Sequence, residues 1–170
     1  MAQPKMGVVR WLLGQTHYPD NTYTRDREGN PIRPYDMSTD TIRKIFAGEI
    51  TTWDQVDASL PAEQIQVYIR DLSGGAYEVF QKSVMGDSKV TDSATQSASM
   101  TELATNIANN KWAIGYAGFG AYNKANANGQ KLVAMKVDGV EATEDNIISG
   151  DYKIQRPVMF VGVGEPSSSE

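Results

Sequence analysis

The feature that most constrains this chain is an alternating stretch that runs directly into a pair of glycines. From Ile65 to Arg70, apolar and polar side chains alternate, which is typical of a strand with one buried face. The turn signal Ser73-Gly74-Gly75 follows, and from Ala76 to Gly86 apolar residues recur at helical spacing. The segment therefore predicts a strand that turns tightly into a helix, which is the repeating unit of α/β domains.

Strands and helices continue to alternate along the rest of the chain. Ser38 and Ser99 are favoured N-cap residues followed by apolar residues at helical spacing, and Gly48 is a favoured C-cap residue. These signals predict helices near 38–48 and 99–109. Short apolar stretches predict further strands at 8–13, 113–117, 132–137 and 154–163. The alternation predicts the α/β class.

Two segments stand apart from this alternation. Residues 14–36 are polar and contain three prolines, so they predict an insertion-like surface loop. Loops longer than about 15 residues are often functional, but the residues of this one do not indicate a role. Residues 165–170 are polar and low in complexity, which predicts a disordered tail.

The composition argues against several classes of protein. The net charge is −5, whereas nucleic-acid-binding proteins concentrate Lys and Arg, so we expect no nucleic-acid partner. No apolar run approaches the roughly 20 residues that a membrane helix needs, so the chain is not expected to span a membrane. The absence of cysteine excludes thiol catalysis and thiolate metal sites. The single histidine, His17, has no nucleophile-elbow serine to act with. We therefore expect no enzymatic activity, metal or cofactor.

The turn between the predicted strand and helix has the chemistry of an anion site. The first amides of a helix have no intrahelical acceptor, and the helix dipole favours negative charge there. Arg70 adds a planar cation and Ser73 adds a hydroxyl donor. The same residues also fit an ordinary tight turn in which Ser73 caps the helix and Arg70 lies on the surface. The candidate ligand-binding residues are Arg70, Ser73, Gly74, Gly75, Ala76 and Tyr77.

Four segments, in order, are similar to the phosphate-binding family of ABC-transporter solute receptors. Residues 38–53, STDTIRKIFAGEITTW, resemble the family's LS…L..IF.G.I..W pattern, and residues 65–80 resemble its strand, arginine, glycine-rich turn and helix. Residues 99–116, which end in AIGY, and residues 137–157, VDGVEATEDNIISGDYKIQRP, resemble two further family patterns. Ordered matches from residue 38 to residue 157 are more specific than any single motif among them.

The resemblance implies one lobe of a type II periplasmic-binding-protein fold, with a mixed central sheet flanked by helices and a return segment, over residues 1–164. The family's receptors close two lobes around the anion. A second lobe and a membrane permease are therefore implied as partners, without a cofactor and at a periplasmic or extracellular location. This chain resembles the second half of such a receptor, without the first lobe and without the helices that follow Val161 in the family. Its N-terminus has no signal-peptide pattern.

One departure from the family bears on the ligand. The family pattern R-x-x-G-S-G-T has hydroxyl side chains at positions that are Gly74 and Ala76 here. Each lost hydrogen bond costs about 0.5–1.5 kcal/mol, so we expect weak phosphate binding by this chain alone. Two hypotheses follow. The chain binds a small oxyanion, most simply phosphate, as part of an ABC-importer solute receptor, or it is a ligand-free module of the same fold used for protein interaction or structure.

Overall fold

A computed structural model describes residues 10–12, 36–110, 112–129 and 132–155. The predicted loop at 14–36, except for Asp36, and the predicted tail at 165–170 lie outside the described residues. So does His17. The predicted domain boundary at residue 164 also lies outside them and stays a prediction.

The described residues form short strands and helices in alternation. The strands are β1 (Arg10–Leu12), β2 (Asp36–Met37), β3 (Gln66–Arg70), β4 (Thr95–Ser97), β5 (Ala113–Gly115), β6 (Leu132–Ala134) and β7 (Lys136–Val137). The helices are α1 (Thr39–Ala47), α2 (Gly75–Phe80), α3 (Met100–Ala108), α4 (Phe119–Ala127) and α5 (Glu144–Ser149). A 3-10 turn covers Trp53–Gln55, and a π-helical turn, Gln81–Met85, continues α2.

Five of the strands form one mixed sheet in the order β4-β3-β5-β1-β6. Strand β3 is parallel to both of its neighbours, β4 and β5. Strand β1 is antiparallel to β5 and β6. Strands β2 and β7 form a separate parallel pair. The predicted α/β class, with a mixed sheet flanked by helices, is confirmed.

As the alternation predicted, successive side chains of β3 point into two different apolar layers, one on each face of the sheet. Val67 and Ile69 are buried in the larger layer, where they join side chains of α1 and the α2 segment. Tyr68 points to the opposite layer, which is built mainly on α3. Helices α2 and α3 therefore cover opposite faces of the sheet. The larger layer contains Ile42, Phe46, Phe80 and Ile114, and the smaller contains Leu103, Ala104, Ile107 and Ala125.

Glycine is required where α3 lies against β5. A Cβ atom on Gly115 would lie 2.3 Å from Ile107 Cδ1 and 3.0 Å from the Tyr68 carbonyl oxygen. Real Cβ atoms do not come as close as 2.3 Å, so a larger residue would force the Ile107 side chain to shift and would press on the Tyr68 carbonyl. The glycine of the AIGY segment thus fixes the packing of the smaller layer.

Several helix ends match the sequence signals. Ser38 caps α1 by accepting from the Thr41 amide, and Gly48 ends the helix at φ 81°. Ser99 caps α3 by accepting from the Glu102 amide. Gly86 ends the helical segment that starts at Gly75. These capping predictions are confirmed because caps depend on residues that are close in sequence.

Other expectations were wrong or incomplete. Strand β4 and helix α5 were not among the predicted elements. Helix α4 was not predicted. The strand predicted at 132–137 is two strands, β6 and β7, which belong to different sheets. Ile154 and Gln155 are not in a strand, and the rest of that predicted strand lies outside the described residues.

Among the helices within the described ranges, none is both long enough and apolar enough to cross a membrane.

Candidate anion site

The candidate site lies where two neighbouring parallel strands end. The chain leaves β3 into α2 and leaves β4 into α3, and these helices cover opposite faces of the sheet. Adjacent strands whose following helices diverge in this way leave a crevice between their carboxyl ends, where ligands bind in open α/β sheets. The topology therefore brings the starts of α2 and α3 to one place, with Arg70 at the end of β3 between them.

The guanidinium group of Arg70 is held on one side and open on the other. Its Nη1 donates to the carbonyl oxygen of Ser97, at the end of β4, over 2.8 Å. The same nitrogen lies 2.9 Å from Asp71 Oδ2. In the described part of the chain Nη2 has no hydrogen-bond partner, and it lies 3.8 Å from where a Cβ on Gly74 would be. The side chain of Arg70 is 18% exposed. The predicted cation therefore faces the start of α2.

Asp71 binds both of the side chains that were predicted to meet an anion. Besides its ion pair with Arg70, its Oδ1 accepts from the Ser73 hydroxyl over 2.9 Å. The hydrogen bond from Ser73, and then the positive charge of Arg70, lower the pKa of the Asp71 carboxyl. The carboxylate is consequently charged at neutral pH. Asp71 was not singled out in the sequence, although it directly follows Arg70.

Helix α2 begins without a side-chain cap. Its N-cap residue is Gly74, so Ser73 does not cap the helix. The amide of Gly74 donates to the Asp71 carbonyl oxygen over 3.3 Å, and the amide of Glu78 is the first to bond within the helix. No acceptor from the described residues lies on the amides at 75–77. Of the backbone amides at 74–77 that were predicted to meet a ligand, those at 75–77 are therefore open, whereas the Gly74 amide is already used in the turn.

The side chain of Tyr77 points along α2, away from its first turn. Its hydroxyl donates to Gln81 Oε1 over 3.0 Å. The Gln81 amide group in turn donates to the carbonyl oxygens of Gly86, at 2.7 Å, and Ser88, at 3.0 Å. Tyr77 can thus offer its backbone amide to a ligand while its side chain anchors the helix. Ala76 is partly buried against the larger apolar layer.

A fully buried tyrosine, Tyr116, completes the surroundings of Arg70. Its hydroxyl accepts from the backbone amide of Arg70 over 3.1 Å. Burial raises the pKa of Tyr116, and the hydrogen bond from Arg70 only partly offsets this, so the hydroxyl stays protonated. The AIGY segment contains this residue, but spacing along the sequence does not predict a contact between residues 46 positions apart.

The chain matches the family described as PBP superfamily domain, PBP_like_2, over residues 18–169. This match covers nearly the whole chain. The chain belongs to the PBP superfamily. Within the described residues of this PBP domain, no group of three or more His, Asp or Glu side chains has the arrangement of a metal site.

Curated relatives of the PBP domain are phosphate-binding proteins by name. The phosphate-binding protein PstS of Staphylococcus haemolyticus is 31% identical over 134 residues, which are 78% of this chain and 42% of that protein. The PstS protein of Staphylococcus aureus strain RF122 is 26% identical over 132 residues, which are 76% of this chain and 39% of that protein. The chain therefore spans less than half the length of these relatives.

Solved structures agree with this assignment. A substrate-binding protein from Clostridium perfringens, solved with bound phosphate, is 25% identical with a TM-score of 0.65, covering 90% of this chain and 54% of that one. An ABC-type phosphate transport receptor from Vibrio cholerae is 22% identical with a TM-score of 0.66, covering 91% and 55%. The predicted type II periplasmic-binding-protein fold and the suspected family are confirmed.

Proposed function

We propose that this PBP domain binds a small oxyanion, phosphate, as part of an ABC-importer solute receptor. The observation that carries the proposal is the set of open amides at 75–77 beside the open Nη2 of Arg70. Backbone amides at a helix start and a guanidinium are both groups that proteins use to bind phosphate. The names of the relatives and neighbours, which are phosphate-binding proteins and transport receptors, support the same ligand.

Binding on this geometry is non-covalent. Arg70 Nη2 and the amides of Gly75, Ala76 and Tyr77 donate hydrogen bonds to the oxygens of the anion. Ser73 adds a hydroxyl donor when it rotates away from Asp71. The helix dipole stabilises the added negative charge. Non-covalent binding fits the relatives and neighbours, which are named as binding proteins and transport receptors.

The affinity of this chain alone is expected to be modest. Gly74 and Ala76 have no hydroxyl to donate, and the charged Asp71 carboxylate lies against the groups that would meet the anion. A like charge close to the ligand opposes binding. Closure of a second lobe over the crevice would exclude water and strengthen each hydrogen bond. We propose such a lobe and a membrane permease as partners, with the receptor acting outside the cytoplasm.

One observation favours the second hypothesis, a ligand-free module that serves protein interaction or structure. Asp71 already satisfies Arg70 Nη1 and the Ser73 hydroxyl, which leaves fewer open side-chain donors than a tight anion site has. On that hypothesis Arg70 only ties the ends of β3 and β4 together. Its removal would then lower stability without any effect on phosphate.

The test is isothermal titration calorimetry of the chain with inorganic phosphate, on the original protein and on Arg70→Ala. We expect measurable heat for the original protein and a Kd about 10- to 100-fold higher for Arg70→Ala, because hydrogen bonds to charged groups contribute about 1.5–3 kcal/mol. The matched control is Arg43→Ala, which removes a partly buried arginine that pairs with Asp40 and Glu49 elsewhere on the domain.

Arg43→Ala should leave the affinity for phosphate within about twofold of the original, because a substitution that shares no partners with the site acts independently of it. If the original protein gave no heat at millimolar phosphate, the ligand-free hypothesis would replace the receptor hypothesis. Equal losses for Arg70→Ala and Arg43→Ala would indicate a general effect of charge rather than a site.

A further inference from the structure

Tyr116 connects the two structural elements that supply the proposed anion site. Its ring is stacked on Phe80, with ring centroids 4.4 Å apart and an interplanar angle of 14°. Phe80 is the last residue of α2, the helix whose first amides are open. The ring of Tyr116 also lies 6.2 Å from that of Phe46 in α1. One end of this side chain is therefore fixed to the helix layer.

The other end of Tyr116 is fixed to the end of β3. Pairing between β3 and β5 stops at Tyr68 and Gly115, two residues before Arg70. On that side the Arg70 amide has the Tyr116 hydroxyl as its acceptor, at 3.1 Å. An amide left without an acceptor in this partly buried place would cost free energy and loosen the strand end. The hydroxyl thus extends the order of the sheet as far as Arg70.

We propose that Tyr116 is a positioning residue for the anion site: its hydroxyl fixes the backbone of Arg70 while its ring fixes α2, so that the guanidinium and the open amides keep their relative geometry. The proposal rests on the proposed function of that site. Tyr116 does not touch the ligand. It acts through Arg70 and through Phe80, and both contacts belong to a side chain with 0% exposure.

In the part of the chain that the structure describes, the charged and titratable groups that act on the hydroxyl belong to the site itself. Arg70, Asp71 and Tyr77 each act electrostatically on Tyr116. Because burial keeps the hydroxyl protonated, its role as an acceptor for the Arg70 amide does not change across ordinary pH. Tyr116→Phe therefore removes one hydrogen bond and leaves the ring stack and the charge of the site intact.

The decisive experiment compares Tyr116→Phe with Tyr68→Phe in calorimetric titrations with inorganic phosphate. Tyr68 lies on β3, the strand that ends at Arg70, and its hydroxyl accepts from Asn110 over 3.4 Å on the other face of the sheet. We expect Tyr116→Phe to raise Kd about 5- to 10-fold, the effect of one hydrogen bond, with unchanged stoichiometry. Tyr68→Phe should stay within twofold. A Kd within twofold of the original for Tyr116→Phe, or equal losses in both variants, overturns the proposal.

A second readout separates positioning from general stability. Hydrogen exchange measured by NMR should show the Arg70 amide of Tyr116→Phe exchanging at least about 10-fold faster, while amides in α3 change only as far as the global stability does. Uniform acceleration at all amides would overturn the proposal, because it would show that Tyr116 acts only on the whole fold.

The same readout keeps this proposal distinct from the proposed function. If the original protein does not bind phosphate, the receptor hypothesis fails. Hydrogen exchange of the Arg70 amide in Tyr116→Phe then decides by itself whether Tyr116 orders the end of β3. The Phe80→Leu variant removes the ring on which Tyr116 is stacked but keeps the Tyr116 hydroxyl. If the original protein binds phosphate and Phe80→Leu raises Kd with unchanged stoichiometry, the ring of Tyr116 contributes as proposed. A Phe80→Leu protein with unaltered Kd overturns that half of the proposal.

Discussion

Two neighbouring strand-to-helix junctions, β3–α2 and β4–α3, have the same topology and different chemistry. Both lie at the carboxyl edge of the sheet, and Arg70 joins them through the Ser97 carbonyl oxygen. At β4–α3, the Ser99 hydroxyl accepts from the Glu102 amide, and the Glu102 carboxylate accepts from the Ala98 amide. At β3–α2, Gly74 supplies no side chain and the next amides stay open.

The difference shows what turns a common structural junction into a candidate binding site. A capping box satisfies one of a helix's first three amides, here that of Glu102, with the protein's own oxygen, and adds a carboxylate that opposes an external anion. A glycine N-cap satisfies none of them and also allows a ligand to approach the backbone. The arginine then lies between a junction whose helix start carries a side-chain cap and one whose helix start carries none. Only the second is suited to an external anion.

The strongest way to break this comparison is to close the open junction. Gly74→Asp places a carboxylate at the N-cap of α2, where it accepts from the first amides and repels an anion. A Cβ there would lie 3.4 Å from its nearest neighbour, Asp71 Oδ1, so the fold should tolerate it. We expect Kd for phosphate to rise about 30-fold or more, since both the donors and the favourable charge are lost. Calorimetry measures this directly.

Gly74→Asn is the matched control, because it has the same shape without the charge. It should weaken phosphate binding less than Gly74→Asp does. Binding by Gly74→Asp at the original affinity would show that the anion lies elsewhere.

The reverse change removes the side-chain cap of the β4–α3 junction and should affect stability alone. Ser99→Ala removes the N-cap of α3 and should lower the free energy of unfolding by about 1 kcal/mol. Affinity for phosphate should stay within about twofold, because that junction is not part of the site. Urea unfolding followed by circular dichroism, with calorimetry, checks both. Thr101→Ala, an exposed hydroxyl in the same turn, should change stability by less than about 0.5 kcal/mol. A large loss of affinity in Ser99→Ala would extend the site to α3.

The start of α1 is a third junction for comparison, where the expected change in the free energy of unfolding is smaller. The carboxylate of Asp138 accepts from the Thr39 amide at 2.9 Å and from the Thr39 hydroxyl at 2.6 Å, although the two residues are 99 positions apart. These bonds, together with the charge of Lys153, lower the pKa of Asp138 below its usual value. The stabilisation is therefore present above the unfolded-state pKa, about 3.9, and is lost as pH falls through the lower folded-state pKa. After allowance for solvent screening we expect less than about 1 kcal/mol.

Asp138→Asn should remove that part of the acid dependence of unfolding, as measured by urea titrations between pH 7 and pH 3. Asn is the suitable replacement because residue 138 has φ 51°, a conformation that Asn tolerates. Thr39→Val, which keeps the amide donor but removes the hydroxyl, should lose only part of the effect. If Asp138→Asn had the same pH dependence of unfolding as the original protein between pH 7 and pH 3, this cap would not contribute to stability.

Much of the fold and part of the site follow from local sequence. The alternation from Ile65 to Arg70, the tight turn through Gly74 and Gly75 and the serine caps of α1 and α3 each depend on residues within one turn or one strand. Local hydrogen bonds and side-chain periodicity decide such features, so the sequence predicts them. The α/β class follows from their order along the chain.

Other elements depend on contacts that are distant in sequence. Strand β4, Thr95–Ser97, has a polar sequence and is a strand because it pairs with β3. Strands β6 and β7 are adjacent in sequence but pair with different partners, so no local pattern separates them. Helix α4 has a weakly patterned sequence and is held by packing on α3 and β6. Tertiary context overrides propensity in such short elements.

The sequence by itself determined that a strand ends in an arginine and turns, through glycines, into a helix with open amides. Tertiary structure alone decided that Arg70 reaches the end of β4 and that Tyr116 holds the Arg70 amide. The physical reason is range. Backbone periodicity and caps are set by neighbours along the chain, whereas the direction of a guanidinium depends on which carbonyl, carboxylate and hydroxyl oxygens the fold brings within about 3 Å.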